Sequence, residues 1–213
     1  MYIPPLFRED RKQVLQQLMR QHSLATLVTV GDDGLIANHL PLIYHPNCGE
    51  HGTLRGHMAR ANSQWKTATS APHALAIFQG PSSYVTPSWY PSKADAGKVV
   101  PTYNYAVVHA HGPLRIVEDP DALLQHLHSL TNQHESAFHE RWSVNDAPPD
   151  FIRGLLNSIV GIELPIVKLE GKWKVSQNRS LADREGVARG LRSLGDDESR
   201  NMAALIAEPN SSS

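Results

Sequence analysis

The chain has 213 residues, 40% of them hydrophobic, enough for one substantial core. Lys and Arg total 20 against 21 Asp and Glu, so the formal net charge of −1 excludes a global pull toward nucleic acid or an anionic membrane. The single cysteine, Cys48, excludes an internal disulfide framework and suits a reducing compartment.

Residues 8–22 read as a helix, with Val14, Leu15, Leu18 and Met19 on one face. The opening stretch Met1-Tyr2-Ile3-Pro4-Pro5 lacks the pattern of a signal peptide, and no apolar run reaches the ~20 residues of a helical membrane span, so a soluble, cytoplasmic chain is expected. Residues 24–30 read as a strand that turns at Asp32-Asp33-Gly34 into a returning strand, 35–44, interrupted by Pro41. Residues 53–58 form a third strand and 59–69 a short helix. Residues 73–79, apolar on both faces, read as a central strand. A Pro- and Ser-rich loop over 80–101 is long enough to be functional.

Residues 103–117 read as a long strand with a bulge at Gly112. A helix runs from 120 to about 142 with Leu123, Leu124, Leu127 and Leu130 on its core face, then a linker over 143–149 and a helix over 150–159. Residues 161–169 and 173–176 suggest a hairpin across Glu170-Gly171-Lys172. Ser180 to Asp183 resembles a capping box opening a helix to about Arg192; a last helix covers 197–207, and 209–213 form a frayed tail. The pattern implies a mainly β, α+β domain over 1–208, an antiparallel barrel with a helical insertion at 119–159 and C-terminal helices at 180–207.

Four segments carry chemistry. In the first, Arg60 and Asn62 sit where a strand ends and a helix begins, a place that favours an anion; a surface charge and an ordinary cap are the equal alternative. In the second, residues 79–93 combine Trp89 and Tyr90 with hydroxyls and Lys93, which suits a planar ring, or aromatics that pin the loop. In the third, His109 and His111 face one side of a strand but lack a clear third ligand, so no metal site is expected; His126, His128, His134 and His139 read as solvent-facing or interface residues. In the fourth, Arg184, Arg189 and Arg192 follow a basic stretch, but Asp183 and Glu185 interleave and no helix-turn-helix precedes them, so a solvated helix face is expected. Dinucleotide fingerprint, P-loop and nucleophile elbow are all missing from the sequence.

In order along the chain, Met1 to Phe7, Gly56-His57-Met58-Ala59-Arg60-Ala61-Asn62, Ala76 to Pro81, Ser88-Trp89-Tyr90-Pro91-Ser92-Lys93, Val100 to Tyr105, Val108 to Gly112, and Ser176 to Arg179 with Asp183 to Val187 resemble the PaiB-like family of FMN-binding negative transcriptional regulators. Ser63 stands where the family pattern has Pro, and Tyr103 where it has Trp. The resemblance implies a split barrel of the pyridoxamine-phosphate-oxidase type, a homodimer, and FMN at its interface. It implies that His57, Ala59, Arg60 and Asn62 lie near the flavin phosphate, that Asn38, His39, Leu40 and Pro41 run along the isoalloxazine ring, and that Lys93, Asn104 and Tyr105 contribute from the partner or a cap. Three functions follow: a flavin-dependent redox sensor or regulator, an FMN-dependent oxidoreductase or flavin reductase with His57 and His109 as candidates for proton transfer, or a haem-binding or haem-degrading protein. Direct DNA binding, implied by the family, has weak support from the charge.

Overall fold

A computed structural model describes residues 1–70 and 72–207. In chain order it contains β1 (Arg8–Glu9), α1 (Lys12–Gln21), β2 (Leu24–Gly31), β3 (Gly34–Pro41), β4 (Ile43–His45), β5 (Thr53–Ala59), α2 (Thr67–Ser70), β6 (His73–Val85), α3 (Lys93–Ala96), β7 (Thr102–Pro113), β8 (Arg115–Val117), α4 (Pro120–Glu135), α5 (Pro149–Leu156), β9 (Ile159–Pro165), β10 (Lys168–Lys174), α6 (Leu181–Leu194) and α7 (Asp197–Ala207). The fold is the α+β class expected, antiparallel sheets trimmed by helices, with two sheets rather than one closed barrel. The expected tail at 209–213 lies outside the described residues.

The chain clusters into two compact units, and the boundary falls within α1, β6, β7 and β10. The first unit takes Met1–Leu18, Gln79–Val108 and the chain from Glu170 onward. Its strands follow the order β1-β10-β7-β6, with Arg8 opposite Lys172 and Glu9 opposite Gly171. Its buried side chains include Leu15, Val85, Tyr90, Trp173, Val187, Leu191, Met202 and Ile206.

The second unit takes Met19–Phe78 and His109–Leu169. Here β6 pairs with β2 and β2 with β3, while a separate sheet has the order β4-β5-β9-β8. Gly34 adopts φ 119°, the left-handed turn conformation expected of the Asp-Gly pair between β2 and β3. In the second sheet Arg55 lies opposite Glu163, His57 opposite Gly161, and Val117 opposite Gly161.

Several elements differ from the sequence expectation, each for a local reason. The first helix starts only at Lys12, because Arg8 and Glu9 pair as a strand with β10. The strand over 35–44 breaks at Leu42, whose N–H donates to the Ser23 carbonyl instead of a ladder partner. The helix over 59–69 is replaced by a short 3-10 turn at Ser63–Lys66 and α2. The loop over 80–101 is shorter, since β6 continues to Val85 despite its Gly-Pro-Ser-Ser run. The strand over 103–117 splits at Leu114, which donates to Pro72 O at 2.6 Å. The helix from 120 stops at Glu135, not near Trp142; the Glu135 carboxylate accepts the Trp142 N–H at 3.0 Å. Glu170-Gly171-Lys172 is not a hairpin turn: it lies within β10, and β9 and β10 belong to different sheets.

Candidate functional site

Alternation along β2 and β3 divides their side chains between two faces. Ala25 and Leu27 point inward with Ala74, Ala76 and Phe78, all fully or nearly fully buried. The other face carries Leu24, Thr26, Val28 and Val30 on β2, paired with Pro41, His39, Ala37 and Leu35 on β3, and Ile77 and Leu75 on β6. Leu24, Val30 and Leu35 are 64%, 48% and 78% exposed. Among these paired positions the polar ones are Thr26 and His39, whose Oγ1 and Nδ1 lie 3.0 Å apart. A monomer seldom leaves so continuous an apolar sheet face to water.

Behind this face, the turn after β5 is fastened by Gln64, a fully buried polar residue. Its Nε2 donates to Leu27 O at 3.0 Å and Ile36 O at 3.2 Å, its Oε1 accepts from Asn38 Nδ2 at 2.9 Å, and its N–H donates to Asn62 Oδ1 at 3.0 Å. Asn38 and Asn62 are thereby joined through one residue, by its side-chain amide and its backbone N–H. Asn62 is a cap, as one reading expected. Leu40 points inward and is buried; Pro41 ends β3 opposite Leu24. Ala59 ends β5, exposed. Arg60 is tied down: its guanidinium pairs with Glu118 at 2.6 Å and donates to Asn157 O and Ile159 O at 3.3 and 3.2 Å. Gln64 escaped the sequence reading, although its place two residues after a capping Asn was the available signal.

His57 faces α4, where its Nδ1 lies 3.1 Å from His126 Nε2. This corrects the reading of His126 as a solvent-facing or interface residue: it is 8% exposed within the chain. Burial lowers its pKa to about 4, helped by neighbouring His57, His45 and Arg55; burial also lowers that of His57. Beside His126 lies a cleft of about 360 Å³ lined by His45, Arg55, Leu123, His126, Ile162 and Glu163 among others.

The remaining expected residues lie in the first unit. Lys93 opens α3 and is exposed. Asn104, 1% exposed, donates from Nδ2 to Ser176 Oγ at 2.8 Å; Ser176 holds φ 65°, an unusual backbone for serine. Tyr105 stacks under Lys172 Nζ, 5.2 Å from its ring centre.

The aromatic loop and the start of α6 form a dock in the same unit. Ser180 caps α6 by accepting the Asp183 N–H, as the capping pattern implied. The buried Asp183 carboxylate accepts from Ser92 N at 3.1 Å and Ser92 Oγ at 2.8 Å. Burial opposes its charge, but the Ser92 and Ser180 hydrogen bonds and Arg179 outweigh that and hold its pKa below the ordinary carboxylate value. A Cβ at Gly186 would fall on the Trp89 carbonyl oxygen, and one at Gly190 on the indole ring. The aromatics of this loop therefore pin it to the helix.

An FMN-sized ligand needs a flat apolar surface and anion donors. The β2–β3–β6 face fits the first need. For the second, Arg60 fits only by exchanging Glu118 for a phosphate.

Residues 1–168 match the model of the family described as "Putative FMN-binding domain". The chain is 34% identical over 243 residues to an uncharacterised protein of Emericella nidulans, covering 98% of this chain and 97% of that protein. It is 29% identical over 208 residues to the protease synthase and sporulation protein PAI 2 of Bacillus subtilis, covering 98% and 97% of the two chains. In fold it resembles the FAD and heme binding protein of Mycobacterium smegmatis (TM-score 0.57, 15% identity, 86% and 80% coverage) and the flavocytochrome Anf3 of Azotobacter vinelandii (TM-score 0.56, 10% identity, 79% and 69% coverage). Among the described residues no helix is long and apolar enough to cross a membrane. The chain belongs to this FMN-binding domain family, and the Bacillus protein PAI 2 is its homologue.

Proposed function

We propose that this chain binds FMN, one per chain, in a homodimer that buries the β2–β3–β6 face, and serves as a flavin-dependent redox sensor or regulator. The observation that carries the reading is that exposed apolar face with its Thr26–His39 pair. It lies on β3, the strand whose Asn38, His39, Leu40 and Pro41 the family resemblance assigns to the ring. FMN there would supply electron or hydride transfer; the chain supplies surface, orientation and exclusion of water. Asn62 and Gln64 hold the turn that carries Arg60, and Lys93, Asn104 and Tyr105 stand as candidates for completing the site. The regulatory half of the proposal leans on the sporulation relative PAI 2.

The test is an anaerobic absorbance titration with FMN, followed by NADH, with the oligomeric state read by sedimentation. Saturation at one FMN per chain, lost together with the dimer in Leu35→Lys, supports the reading. Bleaching by NADH would move it to an FMN-dependent oxidoreductase, and a Soret band with haem but no flavin binding to a haem protein. A gel shift that persists at physiological salt would mark specific DNA contact. No binding of FMN would overturn it.

A further inference from the structure

The cleft beneath α4 lies wholly in the second unit and uses a different sheet from the proposed flavin face. Gly161 lets α4 pack closely on β9 at one side of it: a Cβ there would come within 2.7 Å of Leu123 Cδ2. Two of its lining residues each hold a buried nitrogen without a hydrogen-bond partner, His45 Nε2 and His126 Nδ1, and the buried Arg55 Nε meets only the Glu163 carboxylate. Buried polar atoms are nearly always matched, so two unmatched nitrogens beside one cavity point to a ligand that supplies partners.

The fixed charges among the lining residues are Arg55 and Glu163, which offset each other, with Arg55 Nε 2.7 Å from Glu163 Oε1. Their contact is an ion pair in which the N–H is not aligned for a hydrogen bond. The buried His126 is neutral near pH 7, because burial holds its pKa at about 4. An ion of either sign would shed its water there without gaining a free counter-charge. A donor beside an acceptor instead complements the C=O and N–H of an amide edge. Leu123 and Ile162 supply apolar walls.

We propose that this cleft is a second binding site, which takes a small neutral heterocycle of nucleobase size through its amide edge. Arg55 donates to the ring carbonyl, Glu163 accepts the ring N–H, and His126 Nδ1 or His45 Nε2 bonds the far edge.

The experiment follows the histidine ring resonances of the full chain by NMR during titration with uracil, with 1,3-dimethyluracil, which lacks both N–H groups, and with benzoate. Uracil should saturate with a Kd of about 1 mM or tighter, and dimethyluracil should bind at least about tenfold more weakly. Glu163→Gln should weaken uracil about tenfold and His126→Leu about fivefold, with thermal melts showing that each variant folds. Saturating FMN should leave the uracil titration unchanged, whether or not FMN binds its own face. No uracil binding at about 10 mM, equal binding by Glu163→Gln, preference for benzoate, or displacement of uracil by FMN would each overturn the proposal.

Discussion

The cleft beneath α4 and the dock on α6 both bring polar side chains into burial, and they treat them in opposite ways. At the dock, Asp183 accepts two bonds from Ser92 and Gly186 and Gly190 admit Trp89 in contact. Two buried atoms near it lack a partner, the Tyr90 hydroxyl and Arg184 Nε. In the cleft, His45 Nε2 and His126 Nδ1 belong to lining residues and lack a partner. A matched, filled contact is scaffold, whereas unmatched groups around a cavity are what a binding site leaves for its ligand. The family match reinforces the contrast: it ends at residue 168, including every residue of the cleft and none of α6.

The largest expected effect breaks the dock. Gly186→Ala should cost about 3 kcal/mol or more in urea denaturation, because the new methyl meets a backbone oxygen that cannot rotate away. A loss below about 0.5 kcal/mol would show that the loop is not fastened there.

Acid separates the two regions next. His126 has a folded pKa lowered to about 4 from 6.5, so the unfolded chain takes up its proton first. Its contribution is intact above pH 6.5 and is lost as pH falls toward 4, at up to about 1.4 kcal/mol per pH unit. Asp183 is shifted below 3.8, so the dock keeps its carboxylate contribution above that value and loses it only as pH falls through the lower folded pKa. Urea midpoints measured from pH 7 to 4 should therefore fall in the wild type and fall less in His126→Gln; identical slopes would sink the assignment.

A smaller effect tests the cap and the clasp singly. Ser180→Ala and Ser92→Ala should each lower stability by about 1 kcal/mol, read as a shift in denaturation midpoint at constant slope. The smallest concerns Lys93, exposed at the head of α3. Lys93→Ala should change stability by less than about 0.5 kcal/mol while weakening FMN binding, as expected of a residue that completes the flavin site.

The contrast also marks what the sequence could disclose. The β2–β3 hairpin was legible because Asp-Gly fixes its turn and alternation fixes its faces; the α6 cap was legible because Ser180 and Asp183 stand three apart. The extension of β6 through Gly80-Pro81-Ser82-Ser83 was hidden, since local preference argues against a strand that tertiary pairing nonetheless makes. The β9–β10 hairpin failed because chain proximity says nothing about which sheet a strand joins. His126 looked like one more helix histidine; only the fold brings His57 to it from 69 residues away. Arg60 was legible as a charge at a strand end, but its partner Glu118 was not.

The clasp between Ser92 and Asp183 spans 91 residues, which sets an order of events during synthesis. The aromatic loop leaves the ribosome long before the helix that receives it. Until α6 has emerged and coiled, Trp89 has no glycine-lined seat. Translation at about 5–20 residues per second makes that interval several seconds or more, during which the loop waits without the helix that seats it.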